Sequence, residues 1–186
     1  MKKVYWVLIV LALIAVLSQF KRKPKKRKSM SQLANINNAT ILSQLNPMVK
    51  RAFMDFIEDI KKMGYLVFLT SGYRDFEHQA SLKKQDNRNA APGFSSHNYG
   101  TALDLCLVKN GVTYNKNTAP AEWIKTGVPQ LAKNKYGMRW GGEFPGYPDS
   151  VHFDFNNKYD TKKLYAAAVS KFGDIMKAKG NEITLT

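Results

Sequence analysis

The segment Ser95-Ser96-His97-Asn98-Tyr99-Gly100-Thr101-Ala102-Leu103-Asp104-Leu105-Cys106-Leu107-Val108 begins with a histidine in a polar stretch and then runs into an alternation. Leu103, Leu105 and Leu107 alternate with Ala102, Asp104 and Cys106, and a period of two places the leucines on one face of a strand. The spacing predicts a strand over 101–108 with Asp104 projecting from the other face. A carboxylate there needs a partner or contact with solvent, because burying an unpaired charge is costly. Asn110-Gly111 then marks a hairpin turn into Val112-Thr113-Tyr114.

The pattern returns near the end of the chain in Asp149-Ser150-Val151-His152-Phe153-Asp154-Phe155. Val151, Phe153 and Phe155 alternate with His152 and Asp154, so a second strand has one apolar face and one face bearing a potential ligand. Working outward, residues 47–63 read as a helix, with Val49, Phe53, Phe56, Ile57 and Ile60 at helical spacing. Residues 65–70 and 138–140 read as strands, and 76–84, 121–134 and 161–179 as helices. Ser29 to about Ala39 is polar and reads as linker. Helices at the ends of and between such strands predict an α+β domain, a small antiparallel sheet flanked by helices.

Twelve Gly and one Cys exclude collagen-like and disulfide-stapled classes, and 44% hydrophobic residues exclude a wholly disordered chain. The 29 Lys+Arg outnumber the 14 Asp+Glu, giving a formal net charge of +15 over 186 residues. Nine of the basic residues fall in positions 1–30, which hold no acid, so the remainder is only mildly basic. Nucleic-acid binding by the folded part is not required by these figures. Val4 to Phe20 is 17 residues without a charge, at the short end of what spans a bilayer. No small-x-small cleavage site follows it, and it reads as an uncleaved N-terminal transmembrane helix. The basic run at 21–28 opposes an outward-facing domain under the positive-inside bias, and it offers a contact for anionic lipid or nucleic acid. The expected organisation is an anchor at 1–20, a basic and polar linker at 21–39 and a domain at 40–186.

The chain has three histidines, His78, His97 and His152. Two imidazoles and one carboxylate form an open zinc site that keeps a position for water. Such a site lowers the pKa of that water and polarises a carbonyl, and a carboxylate outside the ligand set then takes and returns the proton. Asp149, three residues before His152 and just after the turn Gly146-Tyr147-Pro148, is placed for that work. From spacing alone, the His and Asp on these strands read equally as a hydrogen-bonded pair or as exposed groups. Cys106 reads as a small buried hydrophobe beside Asp104, and His78 as an exposed or capping residue.

Ser95-x-His97-x-x-Gly100-x-Ala102-x-Asp104 matches in full the SxHxxGxAxD signature of the zinc D-alanyl-D-alanine carboxypeptidase and L-alanyl-D-glutamate peptidase family, which includes VanY-type enzymes and phage endolysins. Ser71-Gly72-Tyr73-Arg74, with Gln79 and Leu82 after it, resembles the family's SGYR segment. Trp140-Gly141-Gly142 and Asp149-x-x-His152-Phe153 resemble its WGG and DxxHF elements. The four motifs stand in the family's order and span roughly residues 66–155.

The resemblance implies a fold shared with the hedgehog signalling domain, zinc ligands at His97, Asp104 and His152, and a catalytic carboxylate at Asp149. It also implies a substrate- or oxyanion-binding guanidinium at Arg74, with Ser95 supporting substrate or loop. Glu143 is a rival base and Asp154 a weaker one. Many carboxypeptidase members carry a glutamate two or three residues before the second histidine, so the aspartate and the WGG element resemble the endopeptidase branch. The implied function is zinc-dependent hydrolysis of peptidoglycan stem peptides, at L-Ala-D-Glu or a cross-link, on the cell-wall side or as a phage lysin. The alternatives are a D-Ala-D-Ala carboxypeptidase, and a zinc-bearing wall-binding module without turnover.

Overall fold

A computed structural model describes residues 28–184. In chain order the elements are α1 (Met30–Ser43), α2 (Pro47–Lys62), β1 (Leu66–Ser71), α3 (Phe76–Gln85), β2 (Ala102–Lys109), β3 (Val112–Tyr114), α4 (Pro120–Lys125), α5 (Val128–Tyr136), β4 (Arg139–Trp140), β5 (His152–Asp154) and α6 (Thr161–Phe172). The leucine alternation makes β2 the central strand, with Leu103, Leu105 and Leu107 fully buried. β1 pairs antiparallel along one side of it. On the other side β5 pairs with its beginning and β3 with its end, and β4 closes the sheet beyond β5. The α+β expectation holds, with one small antiparallel sheet flanked by helices.

The apolar stripe of α2 packs on the leucine face. Phe53 and Phe56 lie edge-on or tilted against Phe155 and Phe153, with ring centroids 5.1 and 5.3 Å apart. Buried Trp123 of α4 closes the same core. A smaller cluster, Phe76, Tyr99, Leu164 and Ala168, pins α3 and α6 to the loop that carries His97. One face of the sheet is therefore rigidly packed, and the other is left for the polar residues of β2 and β5.

Three local expectations are corrected. The stretch read as linker from Ser29 to Ala39 is instead most of α1, opened by a capping box in which the Ser29 hydroxyl and the Gln32 side chain each accept the other's backbone N–H. Asn38 of this helix is buried against β1, donating to Val67 O and accepting from Leu69 N–H, both at 2.9 Å. The single helix expected at 121–134 is split, because Gly127 adopts φ +75° and Pro129 restarts the chain as α5. The closing helix ends at Phe172 rather than Lys179, since Gly173 takes φ +72° and Asp174 caps a separate short turn. The anchor expected at residues 4–20, and all of the basic run but Lys28, lie outside the described residues. Among the described residues no helix is long and apolar enough to cross a membrane.

Candidate metal centre

The register of the sheet assembles the site. Asp104 of β2 stands directly opposite His152 of β5, while a bulge between Leu69 and Ser71 sets Ser71 of β1 against Asp104 on the other side. His97 arrives from a short helical turn, Ser96–Tyr99, that ends at Gly100 with φ +63°. A Cβ at Gly100 would stand 2.7 Å from the backbone N of Asn46, so this turn packs against the start of α2 only as glycine.

His97 Nε2 lies 3.1 Å from Asp104 Oδ1 and 3.2 Å from His152 Nδ1, and His152 Nδ1 lies 3.0 Å from the same carboxylate oxygen. The far side of each imidazole is already committed. His97 Nδ1–H donates to Gly72 O at 2.6 Å, and His152 Nε2–H donates to Asp154 Oδ2 at 2.9 Å. Those two bonds hold each ring by one nitrogen and turn the other toward Asp104, where it can give its lone pair to a cation that takes the place of a proton, which is how metal-binding histidines are held. Two imidazole nitrogens and a carboxylate oxygen within 4.8 Å of one another fit a zinc ion.

Burial alone would raise the Asp104 carboxyl, but the neighbouring imidazoles outweigh it and hold the group well below the usual carboxylate range. For His152 burial works against protonation, and hydrogen bonds to Asp104 and Asp154 outweigh it, pushing the imidazole up to about 10. The site thus attracts positive charge strongly, a property that a divalent cation would satisfy.

Asp149 and Arg74 flank the three donors. Burial, and then the charge of Asp104, push the Asp149 carboxyl above its ordinary value. The Asp149 backbone is clasped by the Trp140-Gly141-Gly142 turn: its N–H donates to Gly141 O at 2.8 Å, and its carbonyl accepts from His152 N–H at 3.1 Å. A Cβ at Gly141 would collide with the Asp149 carbonyl and stand 2.9 Å from His152 Cβ, so the glycine is what lets that turn approach. Arg74 is aimed by Gln79 Oε1 at 2.8 Å and Ser71 Oγ at 3.2 Å, with Nη2 at 3.9 Å from Asp104 Oδ2. Burial lowers its pKa, while Asp104 and Asp149 favour its charged form. Ser95 lines the cleft beside His97.

The other candidates separate clearly. Glu143 is exposed and paired with Lys133 at 2.7 Å, outside the cleft. Asp154 is buried and receives both His152 and a two-pronged contact from Arg139, at 2.8 and 2.7 Å, so it orients a ring rather than serving as a base. His78 is exposed on α3. Cys106 is not the buried hydrophobe expected of it: it is half-buried and lines the cleft, because it shares the polar face of β2 with Asp104. The supporting roles of Arg139, Asn98 and the Gly72 carbonyl had no signal in spacing. Asn98 donates to the Arg74 carbonyl at 2.9 Å, tying two motifs together.

Two cavities meet at this centre, one of about 270 Å³ on the Phe94 and Phe144 side and one of about 870 Å³ on the Thr70 and Asn117 side. Arg74, Asn89, Asp104, Tyr147 and Asp149 line both, so Asp104 stands where the two cavities adjoin, while His97 and His152 line the smaller one.

A three-donor centre of this kind, with a flanking carboxylate and guanidinium, defines a zinc metallopeptidase. Residues 88–155 match the model of a family described as D-alanyl-D-alanine carboxypeptidase, a range that holds three of the four motifs and begins after Ser71–Arg74, and the family resemblance is thereby borne out, together with zinc as the cofactor. Over 133 residues, 64% of this chain and 78% of the relative, the chain is 29% identical to the peptidoglycan L-alanyl-D-glutamate endopeptidase CwlK of Bacillus subtilis (strain 168). Among solved structures it is similar to the L-Ala D-Glu endopeptidase ChiX of Serratia marcescens, with TM-score 0.47, 18% identity and coverage of 66% of this chain and 90% of that one. It is also similar to a vancomycin-resistance D,D-pentapeptidase, VanY, in complex with Zn(II), with TM-score 0.43, 18% identity and coverage of 66% and 78%.

Proposed function

We propose that this chain is a zinc-dependent peptidoglycan peptidase that cuts within the stem peptide, at the L-Ala-D-Glu bond. The observation that carries the reading is the position of Asp104, Asp149 and Arg74 at the junction of two cavities, with His97 and His152 on the wall of the smaller one. An enzyme cutting inside a chain needs room on both sides of the scissile bond, whereas one that removes a terminal residue needs a pocket closed behind it. The similarity to an L-alanyl-D-glutamate endopeptidase supports the same choice.

His97, Asp104 and His152 would hold the zinc, which when bound supplies a Lewis acid that acidifies water and polarises a carbonyl. Asp149, its pKa raised by burial, accepts the proton of the attacking water and returns it to the departing amine. Arg74, pre-aimed by Gln79 and Ser71, donates to the oxygen on which negative charge develops, or to a substrate carboxylate. Asp154 and Arg139 keep His152 in the tautomer that binds metal. In this reading residues 4–20 hold the domain at a membrane, on the side facing the wall.

Digestion of purified muropeptides by the zinc-loaded protein, with products weighed by mass spectrometry, tests the assignment. Products split between L-Ala and D-Glu are expected. Release of a single terminal D-Ala would move the assignment to the carboxypeptidase reading that the family description also fits. Zinc and wall binding without any product would leave a non-catalytic module.

A further inference from the structure

The larger cavity has a chemistry of its own. Beyond the residues it shares with the metal centre, its polar wall includes Thr70, Asn115, Lys116 and Asn117, with Asn89 and Tyr147 at its boundary, and Cys106, Pro148 and Val151 give it an apolar side. At about 870 Å³ it is within the size range of small-ligand sites.

The 115–118 turn is rigid before any ligand arrives. Asn115 N–H donates to Thr118 Oγ1 at 3.0 Å, Asn117 N–H donates to Asn115 Oδ1 at 2.9 Å, and the indole N–H of buried Trp123 donates to Asn115 O at 3.2 Å. With Oδ1 of Asn115 engaged, its amide NH₂ remains as a donor. With Nδ2 of Asn89 given to Leu82 O at 3.1 Å, its Oδ1 remains as an acceptor. Paired amide donors and acceptors beside an exposed tyrosine ring suit hydroxyl and acetamido groups. The opposite cavity is more highly charged: Arg88 and Arg139 join Arg74, the first paired with Asp86 and the second with Asp154, and Asp149 and Asp154 face the same space.

Resting on the L-Ala-D-Glu reading, we propose that the larger cavity is a saccharide subsite that takes the amino sugar to which the stem peptide is attached. Reach suits that bond. L-Ala is the residue that joins the peptide to the sugar, so a cut after it leaves the glycan about one residue, ~3.5 Å of chain, from the reacting carbonyl. The cavity opens directly beside the metal donors, because Asp104 and Asp149 are part of its wall. A cut at the D-Ala end would put the glycan several residues away, beyond this cavity. The rest of the stem, from D-Glu onward, then lies in the opposite cavity.

The test compares a disaccharide-linked muropeptide with the same peptide free of glycan. The wild-type protein should favour the linked substrate, mainly through KM. Asn115→Asp keeps the acceptor that holds the turn and removes the amide donor, and Asn117→Ala removes a side chain while keeping its backbone bond. Each should lose about three- to tenfold of that preference, the worth of one hydrogen bond. Equal wild-type rates on the two substrates, or variants with undiminished preference, would overturn the subsite while leaving the L-Ala-D-Glu reading intact. A zinc-loaded wild type that cuts neither substrate overturns both.

Discussion

Asp104 and His152 face each other across the β2–β5 ladder, and the 3.0 Å between Oδ1 and Nδ1 joins two motifs that are 48 residues apart in sequence. The contact is set by register: a slip of either strand by one residue would turn its own side chain to the opposite face of the sheet. The core opposes either slip, because one of β2 would expose Leu103 and Leu105 and one of β5 would expose Phe153, all fully buried. The hydrophobic core thus determines the geometry of a polar site that it does not touch.

Asp149→Ala should reduce muropeptide cleavage by about 10²–10⁴-fold while zinc content stays at the wild-type level. In the wild type the base form of Asp149 is required, so kcat/KM should rise as pH rises through its pKa. Burial and then Asp104 raise that pKa, so the acid limb should lie above 3.8. The limb should disappear from the residual activity of the variant. Turnover that remains undiminished in Asp149→Ala would remove the carboxylate from the mechanism.

Arg139→Ala leaves Asp154 buried with only His152 and Ser96 as side-chain partners. The loosened His152 should bind zinc about 10–100-fold more weakly, as read by competition with a chromogenic chelator. Arg139→Lys, which keeps the charge but loses the two-pronged contact, should recover part of the loss. Equal zinc affinity in all three proteins would mean that the Arg139–Asp154 pair does not position the ring.

Asn38→Ala should lower stability by about 1–3 kcal/mol, since it strips the edge strand β1 of two partners for buried backbone groups. The unfolding midpoint is expected to fall by several degrees. An unchanged midpoint would return residues 29–39 to the status of a linker.

Much of this architecture was legible in the pattern of residues, and the exceptions have physical causes. The alternations in 101–108 and 151–155 gave strands and faces, since a period of two leaves no choice of side. Segment 29–39 was misread because its side chains are polar. Polar composition signals solvent only when no nearby backbone needs partners, and here Asn38 caps an open sheet edge. The extent of helices α4 and α6 turned on Gly127 and Gly173 in left-handed conformations, where an apolar stripe continues past the real end. At the site, the residues named from motifs do converge, but the Arg139–Asp154 support could not be read from spacing, because it depends on the pairing of β4 with β5.

Stability should also respond to acid through Asp59 on α2. Its carboxyl is held well below the usual range by a hydrogen bond from Lys135, then by Tyr136 and Lys62. A depressed folded pKa contributes stability that is fully present above the unfolded value, near 3.8, and is lost as pH falls through the folded one. The unfolding midpoint should therefore drop between about pH 4 and the acid limit of the measurement, and Asp59→Asn should drop less. Parallel pH profiles would show that the cluster carries no linkage.

The most direct test of the account is zinc analysis of the purified chain coupled to muropeptide digestion, for the wild type and for His97→Ala and His152→Ala. The account predicts one zinc per wild-type chain, cleavage that stops on chelation and returns with zinc, and neither metal nor cleavage in the two variants. Full turnover by metal-free protein, or by either histidine variant, would contradict it.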